Sequence, residues 1–200
     1  MRILLTLAAL LALGCDRLVD TPSAGIDQVE YDVISAAISH TLQSEPYAGT
    51  PHSEDEQQPI ERIVIAEKPN AEVPPTLGRI PTDDGIPPDP ATLSSYAAKT
   101  SQTRFERRFT GIGDYELFSD AVRSELFAPA SWNWSRFYER YPGAPGLFVF
   151  SRVGLNADQT EAALFVMHIR GGTWGHEGSM LFRKRDGRWS FAGSELWGQY

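Results

Sequence analysis

Residues 179–197, SMLFRKRDGRWSFAGSELW, decide how the C-terminal part of this chain folds. Two β-prone runs, Ser179–Arg185 and Arg188–Trp197, lie on either side of Asp186-Gly187. An Asp-Gly pair between such runs is a strong signal for a two-residue hairpin turn, because glycine accepts the positive φ that the turn requires. The stretch therefore predicts two antiparallel strands joined by a tight turn.

Two further β-prone runs precede this hairpin, Gly146–Val153 and Thr160–Ile169. In the second run apolar side chains occupy both alternating sets of positions, which is typical of a strand that is buried on both faces. Short connections between consecutive runs favour antiparallel neighbours. The sequence thus predicts an α+β fold with a C-terminal four-stranded antiparallel meander packed by helices.

An aromatic stripe upstream of these strands predicts one of the packing helices. Four aromatic residues, the second, third and fourth of which lie three, four and seven positions after the first, share one face of a helix. The proline that follows ends that helix. We expect the stripe to be part of the core and to pack on the strand that contains Trp189. Its members are Trp134, Phe137, Tyr138 and Tyr141.

The N-terminal half is organised differently. From Asp27 onward, apolar residues at three- and four-residue spacing predict an amphipathic helix, and residues 60–66 form a short β-prone run. Half of the 14 prolines lie in residues 67–90, which hold too few large apolar groups to offset the entropy of ordering them. We therefore divide the mature chain into residues 15–66 (tether, helix and short strand), a Pro-rich linker at 67–90 and a globular domain at 91–200.

The first residues predict export and lipidation. Arg2 is followed by the apolar run Ile3–Leu13, which is too short for a bilayer span of about 20 residues and is typical of a secretory signal. Gly14-Cys15 then completes a stretch that resembles the bacterial lipobox. We expect residues 1–14 to be a cleaved signal and Cys15 to carry the lipid. Asp16 resembles the signal that retains lipoproteins at the inner membrane, so we expect the protein to face the periplasm from that membrane.

Charge and cysteine content exclude several classes of function. The formal net charge of the chain is −8, whereas nucleic-acid binding needs clusters of Lys and Arg that neutralise phosphates. We therefore expect no nucleic-acid partner. A total of 1 cysteine excludes an internal disulfide and a cysteine-based metal cage. No histidine spacing is typical of a metal site and no motif indicates a cofactor, so we expect neither.

Several short motifs occur together in the second half of the chain: Phe137-Tyr138-x-x-Tyr141-Pro142, Ser151-Arg152-Val153-Gly154-Leu155-Asn156, Thr160-x-Ala162, and Gly187-Arg188-Trp189 with Trp197. In combination they resemble a family of uncharacterised exported bacterial proteins. The resemblance covers roughly residues 100–200. It implies an exported C-terminal domain with a boundary near its start, and it implies no activity.

Four residues are candidates for ligand binding: Arg152, Trp174, His176 and Glu177. Arg152 is a charge in an otherwise apolar run, where an unpaired guanidinium would be costly. It faces solvent, pairs with a structural carboxylate or clamps an anionic ligand, for which the fork of arginine is suited. Trp174 lies in the glycine-rich stretch 170–175, and His176-Glu177 follow it.

Two functions of different class remain. The first is a membrane-anchored envelope lipoprotein that has a non-catalytic role, either structural or in binding another envelope protein or a small ligand. The absence of catalytic motifs favours this one. The alternative is an envelope hydrolase that uses His168, His176 and Glu177 around the glycine-rich stretch. Convergence of His168, Arg152 and Glu177 in one cleft would favour the enzyme, and scattered positions would argue against it.

The lipid anchor yields a direct test. Cells fed an alkyne-bearing palmitate should incorporate it into the wild-type protein and not into the Cys15→Ser variant, because the variant lacks the thiol that accepts the acyl chain. In-gel fluorescence after coupling to an azide dye measures the incorporation. Labelling of the serine variant would contradict lipidation at Cys15.

Overall fold

A computed structural model describes residues 25–44, 59–70, 80–99, 103–127, 133–171 and 175–199. The signal segment, Cys15 and Asp16 lie outside these ranges, and so does Trp174. The helices and strands are, in chain order, α1 Gln28–Ser44, β1 Ile63–Ala66, α2 Pro90–Ala98, β2 Tyr115–Phe118, α3 Asp120–Phe127, α4 Trp134–Arg140, β3 Leu147–Phe150, β4 Gly154–Leu155, β5 Glu161–Ile169, β6 Gly175–Arg185 and β7 Arg188–Gln199.

The strands of the described residues form one mixed sheet in the order β2-β1-β3-β5-β6-β7, and β4 pairs with β5. Strand β1 is parallel to both β2 and β3, whereas the pairs β3–β5, β5–β6 and β6–β7 are antiparallel. The predicted α+β class is confirmed. The sequence did not predict β2 or β4, and it placed β1 outside the C-terminal sheet, whereas β1 lies between β2 and β3.

Strand β5 defines the two faces of the sheet because its side chains alternate. Ala162, Leu164 and Val166 point to the face that we call the front, and Ala163 and Phe165 point to the back. Both sets are buried, as the apolar run predicts. The front is covered by α1, whose buried positions recur at helical spacing, and by the side chains of residues 105–109.

The back face is covered in two separate places. At one end of the sheet, α3 and α4 pack on Val64 and Leu147. At the other end, Ile80, which precedes α2, and Tyr96, which lies on α2, pack on β5, β6 and β7. The strip of sheet between these two clusters has no helix over it among the described residues, and this gap contains the candidate site.

The predicted division of the chain differs from the packing in two respects. Helix α1 and β1, from the segment 15–66, share a hydrophobic core with residues 105–191. Residues 80–90 of the predicted linker lie on the sheet, where Thr82 bridges to Gly193. Apart from the buried Ile80, this contact is mainly polar, and composition therefore misses it. The guanidinium of Arg183 binds the Asp84 carboxylate at 2.6 and 2.8 Å and also donates to carbonyl oxygens of residues 86 and 87.

The aromatic stripe is core, but its predicted partner is wrong. Phe137 and Tyr141 are buried on the back face with Phe118, whereas Trp189 packs at the margin of the front cluster. The ammonium of Lys184 lies 5.1 Å from the centre of the Trp189 ring. Alternation puts Trp189 on one face of β7, but it cannot say which helix covers that face.

None of the described helices is both long and apolar enough to cross a membrane.

Gly193 tests the contact between residues 80–90 and the sheet. A Cβ at this position would lie well inside van der Waals distance of the Pro81 carbonyl oxygen, so Gly193→Ala must displace one backbone from the other. We expect a loss of about 1–3 kcal/mol in the free energy of unfolding, the usual cost of overpacking. Hydrogen exchange should also quicken at the Asp83 amide, which donates to the Ala192 carbonyl at 2.9 Å.

Gly25→Ala is the matched control, because a Cβ there meets nothing within 4 Å. Its stability should equal that of the wild type. Unchanged stability and unchanged Asp83 exchange in Gly193→Ala would mean that residues 80–90 are not held by this close approach.

Candidate functional site

Arg152 follows β3 and is only 8% exposed. Its Nε and Nη2 donate to the two carboxylate oxygens of Glu30 at 2.9 and 2.7 Å, and Nη1 donates to the hydroxyl of Thr103 at 3.2 Å. The structure thus places a carboxylate of the chain itself in the fork of this arginine. Of the three roles that the sequence left open, Arg152 therefore pairs with a structural carboxylate. Its guanidinium is occupied by Glu30 and does not bind an external anion.

Glu30, on α1, is completely buried and accepts four hydrogen bonds. Two come from Arg152, one from Lys99 Nζ at 2.7 Å and one from the backbone amide of Val153 at 3.1 Å. Burial alone would raise the pKa of the Glu30 carboxyl, but the hydrogen bonds from Arg152 and Lys99 outweigh it and hold this pKa below its usual value. The group is therefore an ionised structural carboxylate at neutral pH.

The three residues of the hydrolase hypothesis do not meet. His168 and His176 are directly opposite each other on β5 and β6, with ring centres 5.6 Å apart. Glu177 is opposite Met167 in the same register, so it lies on the other face of the sheet. Arg152 is also remote, because Ser151 pairs at the level of Phe165, three residues along β5 from His168.

His168 has a structural environment. It is fully buried and stacks on Phe148, with ring centres 4.1 Å apart and planes within 2° of parallel. Its Nε2 lies 3.1 Å from the carbonyl oxygen of Pro145. These contacts hold the ring in the front core, where a substrate has no access to it.

The gap between the two clusters on the back face is a cleft of about 680 Å³. Val149 packs at the edge of the cluster formed by α3 and α4, and Met167 packs at the edge of the cluster formed by Ile80 and α2. Both side chains also line the cleft. The cleft therefore lies between the two parts of the back layer.

The floor of the cleft is aliphatic. Leu147 pairs with Ile169 and Val149 pairs with Met167, so these four side chains form two adjacent cross-strand pairs on one face. Ala66 of β1 extends the same surface. Val149, Met167 and Ile169 are only half-buried, and water therefore contacts an apolar strip in the middle of a sheet that is otherwise well covered.

The rim of the cleft carries charge. Lys68 forms an ion pair with Asp120, and Arg123 also lines the cleft. The hydrogen bond from Lys68 and the nearby charges of Arg104 and Arg123 hold the pKa of the Asp120 carboxyl below its usual value. Three cationic side chains therefore lie near Asp120, and one of them, Arg104, pairs with Glu67, which leaves a local excess of one positive charge.

No group of three or more His, Cys, Asp or Glu side chains in the described ranges could hold a metal ion. No protein-family model matches the chain, and neither a curated protein nor a solved structure matches it. The candidate site is therefore identified from its geometry alone.

The sequence did not single out the cleft residues, although it held part of the signal. Trp134, which lines the cleft, belongs to the aromatic stripe that predicted core. Val149 and Met167 are in runs that predicted buried strands. Both faces of such strands are apolar, so only the positions of the helices decide which residues stay uncovered. Glu177 and His176 lie outside the lining of this cleft, and Trp174 is outside the described residues.

The Glu30 cluster has a measurable effect on stability. Glu30→Gln removes the countercharge of two buried or half-buried cations, and we expect it to lower the free energy of unfolding by about 3–5 kcal/mol at pH 7. Because folding depresses the pKa of Glu30, its stabilisation is complete above the usual glutamate value of about 4.3 and is lost as pH falls through the folded value. The difference between wild type and variant should therefore shrink under acid conditions in urea titrations.

Asp114→Asn is the control, because Asp114 pairs with Arg62 where both side chains are well exposed. It should cost less than about 1 kcal/mol. An equally small cost for Glu30→Gln would show that the buried cluster does not hold α1 on the sheet.

Proposed function

We propose that this protein is a lipid-anchored envelope protein whose α+β domain is a non-catalytic binding module for a small amphipathic ligand. The observation that carries the proposal is the half-buried aliphatic strip on the floor of the cleft. Ligand sites are typically concave, mainly apolar and about 300–1,000 Å³ in volume, with a few polar groups that orient the ligand. The cleft, at about 680 Å³, meets this description.

The anchor and the location are part of the proposal. The apolar run Ile3–Leu13 and Cys15 support export and attachment to the membrane through lipid, and Asp16 supports the inner membrane, facing the periplasm. In this arrangement the tether from Cys15 keeps the cleft within reach of the membrane surface. The C-terminal antiparallel meander would act as the rigid scaffold, because β3 and β5 carry the floor.

Binding is preferred to hydrolysis on geometric grounds. A nucleophile, a base and an orienting group must all reach one reacting atom. Glu177 and the pair of histidines point to opposite faces of the sheet, and His168 is buried against Phe148. These residues therefore cannot act together on a substrate, whereas the cleft needs no such convergence.

A neutral apolar dye tests the proposal. We expect N-phenyl-1-naphthylamine to bind the purified protein saturably, with a rise in fluorescence as it enters the cleft. Val149→Arg places a charge on the floor and should weaken binding at least tenfold. Thermal unfolding of this variant, followed by circular dichroism, must show that it is folded.

Leu196→Arg is the matched control, because Leu196 is an exposed apolar residue on β7, two strands away from β5 and outside the cleft lining. It should bind the dye as the wild type does. Wild-type affinity in a folded Val149→Arg variant would show that the cleft is not a binding site.

A further inference from the structure

The cleft is polar at one end and apolar at the other. Strands β1 and β2 end together at the pair Ala66 and Phe118, so Lys68 and Asp120 follow at the same end of the sheet. The pair of Leu147 and Ile169 lies at the level of Val64, further back along β1. From that level to Lys68 the floor runs roughly 13 Å, four residues at about 3.3 Å each.

The charges at the polar end favour an anion. Lys68 and Arg123 are exposed and line the cleft, and Arg104 lies close enough to affect Asp120. Against these three cations stand Asp120 and Glu67, whose carboxylate pairs with Arg104 at 2.5 Å. The polar end therefore carries one net positive charge, although the whole chain carries −8.

We infer that the cleft binds a single-chain amphiphile with an anionic headgroup, a carboxylate or a phosphate, which lies at Lys68 and Arg123 while the alkyl chain covers Val149, Met167 and Ile169. The inference rests on the proposed function and names the ligand class of the same site. The aliphatic floor, formed by two adjacent cross-strand pairs and Ala66, offers an apolar surface that suits an alkyl chain. A positive rim beside it supplies charge complementarity to the headgroup.

Headgroup charge is the first test. Isothermal titration at low salt and below the critical micelle concentrations should compare four decyl compounds: decanoate, decyl phosphate, neutral decyl maltoside and decyltrimethylammonium. We expect the two anions to bind at least tenfold tighter than the cation, with the maltoside between them. The preference should shrink as salt rises, because rim charges are screened. The ratio between decanoate and decyl phosphate separates a fatty-acid headgroup from a lysophospholipid-type phosphate.

Rim variants locate the headgroup. Lys68→Gln combined with Arg123→Gln should weaken decanoate binding about tenfold or more and leave decyl maltoside unchanged. Arg188→Gln is the control, because Arg188 is an exposed cation next to the hairpin turn on β7, two strands away from β5 and outside the cleft lining. It changes the net charge of the protein without touching the rim, and its decanoate affinity should equal that of the wild type.

Chain length locates the tail. Each added methylene from hexanoate to decanoate should tighten binding by up to about fourfold, as expected for burial on an apolar floor. Val149→Arg should abolish this dependence. An affinity that does not change with chain length would overturn the inference.

The outcomes distinguish a failure of this inference from a failure of the proposed binding function on which it rests. If neutral dye and decyl maltoside bind in the cleft but anions show no advantage, the anionic headgroup is wrong and the binding module stands. If Val149→Arg changes the affinity for none of these ligands, the proposal that the domain is a binding module is itself wrong. If the wild type forms a dimer that Val149→Arg abolishes, the occupant is a second copy of the chain, and the amphiphile is overturned.

Discussion

The buried carboxylate of Glu30 ties together parts of the chain that are far apart in sequence. It accepts hydrogen bonds from Arg152 after β3, from the amide of Val153 and from Lys99 at the end of α2. Two charged donors and a bidentate geometry offset the cost of removing the carboxylate from water. An incomplete set of partners would leave a buried charge unpaired, so the cluster specifies one position for α1.

The position of α1 has consequences for the rest of the sheet. With α1 and the side chains near Phe105 over the front, the remaining helices must cover the back. They do so in two groups at opposite ends of the sheet, with an apolar strip between them. Among the described residues the back layer is not continuous, so a sheet with two apolar faces exposes this strip. The cleft is therefore a product of how the helices are distributed.

The polar residues divide into structural and accessible groups. Arg152, His168 and Arg183 are held by partners within the chain: Glu30, the Phe148 ring and the Asp84 carboxylate, respectively. Lys68, which pairs with Asp120, and Arg123 are exposed cations on the rim of the cleft. Among the described residues, burial thus separates charges that hold the fold together from charges that can meet a ligand.

The sequence by itself determined the α+β class, the positions of the long strands, the Asp186-Gly187 turn and the core character of Phe137 and Tyr141. Each of these follows from local periodicity or from the backbone demands of a turn, which short stretches of sequence contain. Only the tertiary structure decided that β1 joins the sheet in parallel, that residues 80–90 pack on it and that Trp189 and the aromatic helix lie on opposite faces. The cleft belongs with these, because alternation assigns side chains to two faces but does not say which helix covers each face.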